Sequence, residues 1–280
     1  MKRYMHFDKA LIYSFLIILS LIWIFPLVSM IIVIFKSPDE FNSLHYWVLP
    51  PIKNILKNIG SNIAYAWVKA KIGMNFINSL IFAFSAGVGS AFIASMGGYA
   101  LVHLKIKRPQ SWFFGIFIGN LFPFQMFLIP LYLFLNKLGL YDTRTGLIIV
   151  YVGICVPFAL FVYRNYAYTL PGEIFDAAKV DGAGKWKSFL KIFLPMSKPA
   201  FAVVFIFQFI WTWNDLLFGL ILTERYRPIM TALSKLQGAR GGVPVTILIA
   251  GALIASIPTI IVLLSLQKFF VRGFTLTAGK

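Results

Sequence analysis

Gln208, Trp211, Thr212 and Asp215 recur at i, i+3, i+4 and i+7, so on a helix they share one face. An amide, an indole, a hydroxyl and a carboxylate on one stripe suit a polyhydroxylated solute. The aromatic face packs on the apolar C–H side of a pyranose ring, and the polar groups exchange hydrogen bonds with hydroxyls. The same stripe also suits the joining of buried helices, at ~0.6 kcal/mol per polar contact, and the residues alone leave both readings open. Asn120 and Gln125 flank Pro123 in a second apolar stretch and carry the same two readings. Asn214 lies off the stripe, placed to bond a neighbouring helix.

A second constellation fills the polar stretch from 167 to 198. Pro171 suits a first helical turn, Glu173 and Asp176 sit near the positive end of that helix, and Lys179 follows Asp176 by three residues. Gly182 is expected to stop this helix. A second is expected to begin near Gly184 and end at Pro195, with Trp186, Phe189, Leu190 and Phe193 on one face and Lys185, Lys187 and Lys191 elsewhere. Two short helices joined at a glycine, one with a bulky aromatic face, fit either a lipid interface or a docking site on another protein.

Other chemistry is missing. His6, His45 and His103 are scattered and Cys155 is the only cysteine, so no metal-ligand spacing arises. Gly182-Ala183-Gly184-Lys185-Trp186 lacks the leading glycine and the Ser/Thr of a phosphate loop, so the chain is not expected to hydrolyse ATP. Of nine Asp and Glu, only Asp215 lies clearly inside an apolar run. A proton- or ion-driven carrier wants more buried acids than that.

These residues must be positioned by membrane helices. A chain of 280 residues that is 59% hydrophobic, 12% charged and of mean hydropathy +0.81 fits no soluble class. Six stretches are long enough to cross ~30 Å of hydrocarbon: about 10–35, 76–102, 111–135, 146–166, 199–222 and 246–270. Their length excludes the short alternating strands of a barrel, and the run after the basic residues 1–9 is too long for a cleavable signal, so a retained helix is expected. The expectation is an all-α polytopic bundle, one membrane domain over 1–280. The net charge of +17 gathers in the gaps between apolar runs, where it meets lipid headgroups rather than nucleic acid. Its distribution favours both termini inside once the long 36–75 segment is discounted. Within that segment Ile52, Ile55, Leu56, Ile59 and Ile63 are set against Lys53, Asn54, Lys57 and Asn58, which fits either an amphipathic helix lying on the outer surface or a lid packed over the bundle with no functional role. Ala86, Ser90, Ala94 and Gly98, and likewise Gly115 and Gly119, permit close helix approach. Pro123, Pro157 and Pro258 are expected to kink their spans or serve as hinges.

At 176–195 the sequence resembles the permease subunits of ATP-binding-cassette (ABC) importers. Their cytoplasmic EAA loop, Glu-Ala-Ala, three residues, Gly, nine residues, Ile-x-Leu-Pro, is matched by Asp176-Ala177-Ala178, Gly182 and Ile192-Phe193-Leu194-Pro195. Asp176 replaces the usual glutamate, keeping charge and shortening reach. The run from Ala177 to Ala183, together with Phe76-Ile77-Asn78-Ser79-Leu80, Asn136–Thr143 and Trp213-Asn214-Asp215, is similar to the carbohydrate, maltose-type branch. The resemblance implies a six-span fold of the type I importer kind in a bacterial or archaeal cell membrane. It implies coupling to a cytoplasmic ATPase through Glu173, Asp176, Ala177, Ala178, Asp181, Gly182, Ala183, Trp186, Phe189, Ile192, Leu194 and Pro195. It further implies a homologous second permease, two ATPase subunits that hold ATP and magnesium, an extracytoplasmic solute-binding protein and a sugar substrate, with no cofactor on this chain. The alternatives are a polyol or glycerophosphate permease, an ion-coupled carrier and a membrane enzyme; an excess of outer cations at Arg225, Arg227 or Arg240 would favour an anionic solute. The basic tail from Val271 to Lys280 permits a contact with the ATPase.

Overall fold

The computed structural model describes residues 2–44, 46–238 and 242–275, with side chains from 9 to 265 within those ranges. His45, Arg240, the His6 side chain and the last residues of the tail lie outside them. The described residues form helices without strands: α1 (Lys2–Ile34), α2 (Pro38–Ser43), α3 (Ile52–Ala64) with a π turn Tyr65–Lys69, α4 (Ile72–His103), α5 (Pro109–Phe117), α6 (Gln125–Lys137), α7 (Arg144–Thr169), α8 (Gly172–Val180), α9 (Lys185–Ser188), a π turn Phe189–Phe193, α10 (Leu194–Met196), α11 (Lys198–Trp213), α12 (Leu217–Leu222), α13 (Ile229–Gly238) and α14 (Val245–Thr275).

Four helices are long and apolar enough to cross a membrane unbroken: Lys9–Ile34, Ile72–His103, Arg144–Thr169 and Val245–Ser265. Two expected spans are broken instead. The third bends by 101° between Pro109–Leu121 and Gln125–Lys137. There Phe122 is extended, as the residue before a proline tends to be, and Pro123 offers no N–H to continue the helix. Pro157 and Pro258, by contrast, lie inside unbroken helices. The fifth, expected as one helix over 199–222, is α11 and α12 separated at Asn214–Leu216, and α11 meets the preceding Lys185–Met196 helix at a 72° bend.

Backbone contacts group the chain into two units. The first comprises residues 1–73 and 233–254. Here two asparagines of α3 complete the C-terminal end of α1: Asn62 donates to the carbonyls of Ile34 (3.0 Å) and Lys36 (2.8 Å), and Asn58 to that of Phe35 (2.9 Å). These are the carbonyls that a helix end leaves without intrahelical partners. Asn54 and Asn58 also donate to Glu40, whose carboxylate closes a capping box with Ser37. The Ser37 N–H, followed by these amides, holds Glu40 below the usual carboxylate range. The expected two-sided helix is corrected: its asparagines face the protein, while Ile52 and Leu56 are exposed.

The second unit comprises 74–232 and 255–280. The small residues of α4 are buried, and its glycines set the packing distance. A Cβ on Gly98 would lie 2.9 Å from the Tyr163 backbone, one on Gly97 2.8 Å from Leu160, and one on Gly87 2.8 Å from Phe205. Gly115, expected to play the same part in the third span, has no atom near its Cβ position.

Candidate coupling surface and solute path

The polar segment after α7 builds the first candidate site. Pro171 opens α8 and Asp181 closes it. Gly182, at φ +77°, then makes the left-handed turn: its N–H donates to Lys179 O (3.0 Å), and the Ala183 N–H donates to Ala178 O (2.8 Å). This crossed pair of bonds satisfies the last carbonyls of α8 and fixes the angle to the next helix, which starts at Lys185.

Phe189 and Phe193, expected on an exposed face, are buried instead. They pack with Phe175 of α8 and with Tyr99 and His103 of α4; the His103 and Phe175 rings lie 4.0 Å apart and Tyr99 and Phe193 5.3 Å apart. Both rings lie within a π turn, Phe189–Phe193, and share the face that helical spacing assigns them; what spacing does not reveal is that α4 and α8 cover that face. Ile192 and Leu194 pack against the same core. Pro195 does not end the helix, which runs to Met196; the bend falls at Ser197, where Tyr166 donates to Met196 O (2.7 Å). What remains outside is Val180 (88% exposed) and Trp186 (64%), with Ile174 and Leu190. Glu173, Asp176, Ala177, Asp181 and Gly182 are exposed with them, whereas Ala178 is buried and Ala183 half-buried. Asp176 pairs with Lys179 at 2.6 Å, and that bond holds its carboxyl below the usual range. The result is an apolar surface interspersed with acids and with the exposed Lys179, Lys185, Lys187 and Lys191, carried on an aromatic core.

The second candidate site gathers along α11. Asn120, Gln208 and Trp211 line one cavity of about 360 Å³, with Phe124, Cys155 and Phe207. Trp211 and Asp215 line a second of about 660 Å³, with Phe124, Phe207 and Asn214. Trp211 belongs to both, and its ring lies 5.2 Å from that of Phe124. Thr212 is buried away from them, its hydroxyl 4.0 Å from the Cys155 sulfur. Gln125 is exposed and lines neither cavity.

Asp215 sits in the helix break, not on a continuous stripe. It accepts from the Tyr151 hydroxyl (2.8 Å) and from the N–H groups of Gly219 (3.1 Å) and Phe218 (3.5 Å). It therefore caps α12 and fixes the fully buried Tyr151, which leaves it a positioning part beside the cavity. Gln208 donates to Cys155 O (3.3 Å) and Asn214 to Ile210 O in its own helix (2.8 Å), not to a neighbour. Sequence reasoning missed Phe124, Tyr151, Phe207 and Asn214 as parts of this wall. A signal for Phe124 existed, since it follows the proline that breaks the third span.

A third cluster tethers the far end of this unit. Arg144 donates twice to Asn78 Oδ1 (3.0 and 3.2 Å), Ser79 Oγ accepts the Ile229 N–H (2.8 Å), and Asp142 Oδ1 accepts from Thr223 Oγ1 and from the Glu224 and Arg225 N–H groups. Burial pushes the Asp142 carboxyl up, but these three donors outweigh it and hold it below the usual range.

A helical membrane chain whose polar segment is folded into an angled pair of surface helices is the architecture of a permease subunit. The family model of the binding-protein-dependent transport system inner membrane component matches residues 94–276, a range that contains the coupling surface and both cavities. A probable ABC transporter permease protein of Pyrococcus horikoshii is 41% identical over 169 residues, 60% of each chain. The arabinooligosaccharides transport system permease protein of Bacillus subtilis is 31% identical over 275 residues, 95% of this chain and 94% of that one. Among solved structures, a chain of a bacterial ABC transporter involved in the import of the acidic polysaccharide alginate superimposes with a TM-score of 0.80 over 95% of this chain and 97% of its own, at 23% identity, a likeness of fold. The chain belongs to the binding-protein-dependent transport system inner membrane components, the permease subunits of ABC importers. It is a transport component rather than an enzyme, and membership carries with it a substrate-binding protein and an ATPase as partners.

Proposed function

We propose that this permease imports a carbohydrate of oligosaccharide or disaccharide size, acting as one domain over 1–280, with both termini cytoplasmic. Trp211 is the observation that carries the solute class. It is half-buried and forms a wall of two cavities with Phe124, a surface on which a pyranose C–H face stacks. Asn120 and Gln208 in one cavity and Asn214 in the other supply polar groups for hydroxyls. Asp215 holds this wall in place through Tyr151 and α12. The name of the Bacillus relative, a transporter of arabinooligosaccharides, supports the same class.

In this reading the chain works beside a homologous second permease, two ATPase subunits that bind ATP and magnesium, and an extracytoplasmic binding protein. The ATPase receives the exposed Val180, Trp186 and Leu190 in an apolar cleft, while Glu173, Asp176 and Asp181 set the register. Because Phe189 and Phe193 are packed on Tyr99 and His103, a displacement of the coupling helices is delivered to α4 as well as to α7 and α11. ATP binding then biases a bistable bundle towards the outward-facing arrangement, and hydrolysis resets it.

The test is purification of the tagged protein from its host in mild detergent, mass spectrometry of its partners, and ATPase assays across a sugar panel. The expected result is a second permease and an ATPase, stimulated by binding protein plus one sugar. Stimulation by a polyol or glycerophosphate alone would overturn the solute class.

A further inference from the structure

Taken by side-chain chemistry, α3 has three sectors rather than two. At about 100° per residue, Asn54, Asn58 and Asn62 form one, Ile52, Leu56 and Ile63 a second, and Lys53 and Lys57 a third, with separations of about 100° to about 140° between them. The asparagine sector is occupied by the end of α1 and by Glu40, as described above. The apolar sector is least covered at its start: Ile52 is 87% and Leu56 82% exposed, and Ile63 38%. Its neighbours repeat the chemistry. Trp47, Tyr65 and Trp67 are exposed aromatics, Val68 is exposed, and the Lys69 ammonium lies 5.6 Å from the centre of the Tyr65 ring.

We infer that α3 is an interfacial anchor, seating Ile52, Leu56 and Ile63 in the boundary between headgroups and acyl chains, with Lys53 and Lys57 at anionic headgroups. Three observations on this unit select lipid as the occupant. The asparagines tie α3 to Ile34, Phe35 and Lys36, where the apolar run of α1 ends, so the helix lies at the level where the chain leaves hydrocarbon. Aromatic side chains that join an apolar body to a polar tip surround it, as they do at membrane interfaces. The apolar and basic sectors diverge by about 100°, which lets one face enter the acyl boundary while the other stays among headgroups. By parity of crossings the segment between the first two spans lies opposite the one between the fourth and fifth; naming the outer leaflet rests on the proposed topology.

The experiment uses the assembled complex in liposomes containing phosphatidylglycerol, with bimane on Leu56→Cys or Lys57→Cys; Cys155 is buried. Lipid-borne nitroxide at a shallow acyl carbon should quench the Leu56→Cys label several-fold more than the Lys57→Cys label, and aqueous iodide should show the reverse order. Equal iodide quenching at both positions would overturn the anchor. So would shielding of Leu56→Cys that arises only on adding the binding protein, which would assign the face to that partner. A membrane-impermeant thiol reagent on intact cells carrying Lys57→Cys reads the leaflet separately, so a failure of topology is distinguishable from a failure of lipid contact.

Discussion

Gly182 separates two contributions to coupling that are otherwise entangled, backbone strain and space on the docking surface. Its φ of +77° lies where a side-chain-bearing residue is disfavoured, and a Cβ there would meet no atom within 4 Å. Any penalty inside the chain is therefore conformational: about 1–2 kcal/mol for an ordinary L residue in the left-handed region, and less for Asn or Asp, which enter it more readily. Gly182→Ala should loosen the turn by ~1 kcal/mol, roughly a fivefold change in the population of the bent form. Gly182→Asp should strain the backbone less yet place a charged side chain on the exposed surface between Val180 and Trp186. The assay is uptake and binding-protein-stimulated ATPase in proteoliposomes, beside thermal unfolding of the purified complex. The aspartate variant should assemble and unfold near the wild-type temperature while losing stimulated ATPase and uptake; the alanine variant should lose stability first and coupling in part. Normal substrate-stimulated ATPase in Gly182→Asp would refute the reasoning.

Tyr151→Phe and Asp215→Asn should each destabilise, and a double-mutant cycle on thermal unfolding should give a coupling of about 0.6–1.7 kcal/mol; zero coupling would mean the 2.8 Å bond is not made in the membrane. Trp211→Ala should reduce sugar uptake at equal expression and also destabilise by about 1–3 kcal/mol, because the ring packs on Phe124, Tyr151 and Phe218 as well as lining the cavities; unchanged uptake rate and substrate preference would remove it from the path. Gly98→Ala should cost about 1–3 kcal/mol through overlap with Tyr163, whereas Gly115→Ala should be neutral or stabilise by up to about 1 kcal/mol; equal effects in thermal unfolding would contradict the packing described. The Asp142 carboxyl is depressed in the folded state, so its contribution is present above the unfolded pKa of about 3.9 and is lost as pH falls through the lower folded value. Proteolysis of the segment 223–229 should therefore rise below about pH 4 in the wild type, and an identical pH profile in Asp142→Asn would show that another group is responsible.

Four spans are legible as unbroken helices because apolar length is a strong signal, and Gly182 is legible because an αL turn asks for glycine. What escaped lay in tertiary packing and in breaks of helical periodicity. Phe189 and Phe193 share the face that periodicity assigns, but that face packs into a core with Tyr99 and His103, so the expected aromatic docking face reduces to Trp186 and Leu190, joined by Val180. The stripe from Gln208 to Asp215 assumed one helix, but the break at Asn214–Leu216 frees N–H groups that Asp215 then caps. On α3 the asparagines read as solvent-facing because residue polarity does not reveal unsatisfied carbonyls waiting at the end of another helix.

The most direct test of the coupling account is photo-cross-linking in native membranes, with benzoylphenylalanine at Trp186 and, as a control on a membrane helix, at Trp112, which is equally exposed. From position 186 the account predicts an adduct with the ATPase subunit whose yield changes on ATP addition, and none from position 112. Adducts with lipid alone from both positions would contradict it and return the segment to the membrane interface.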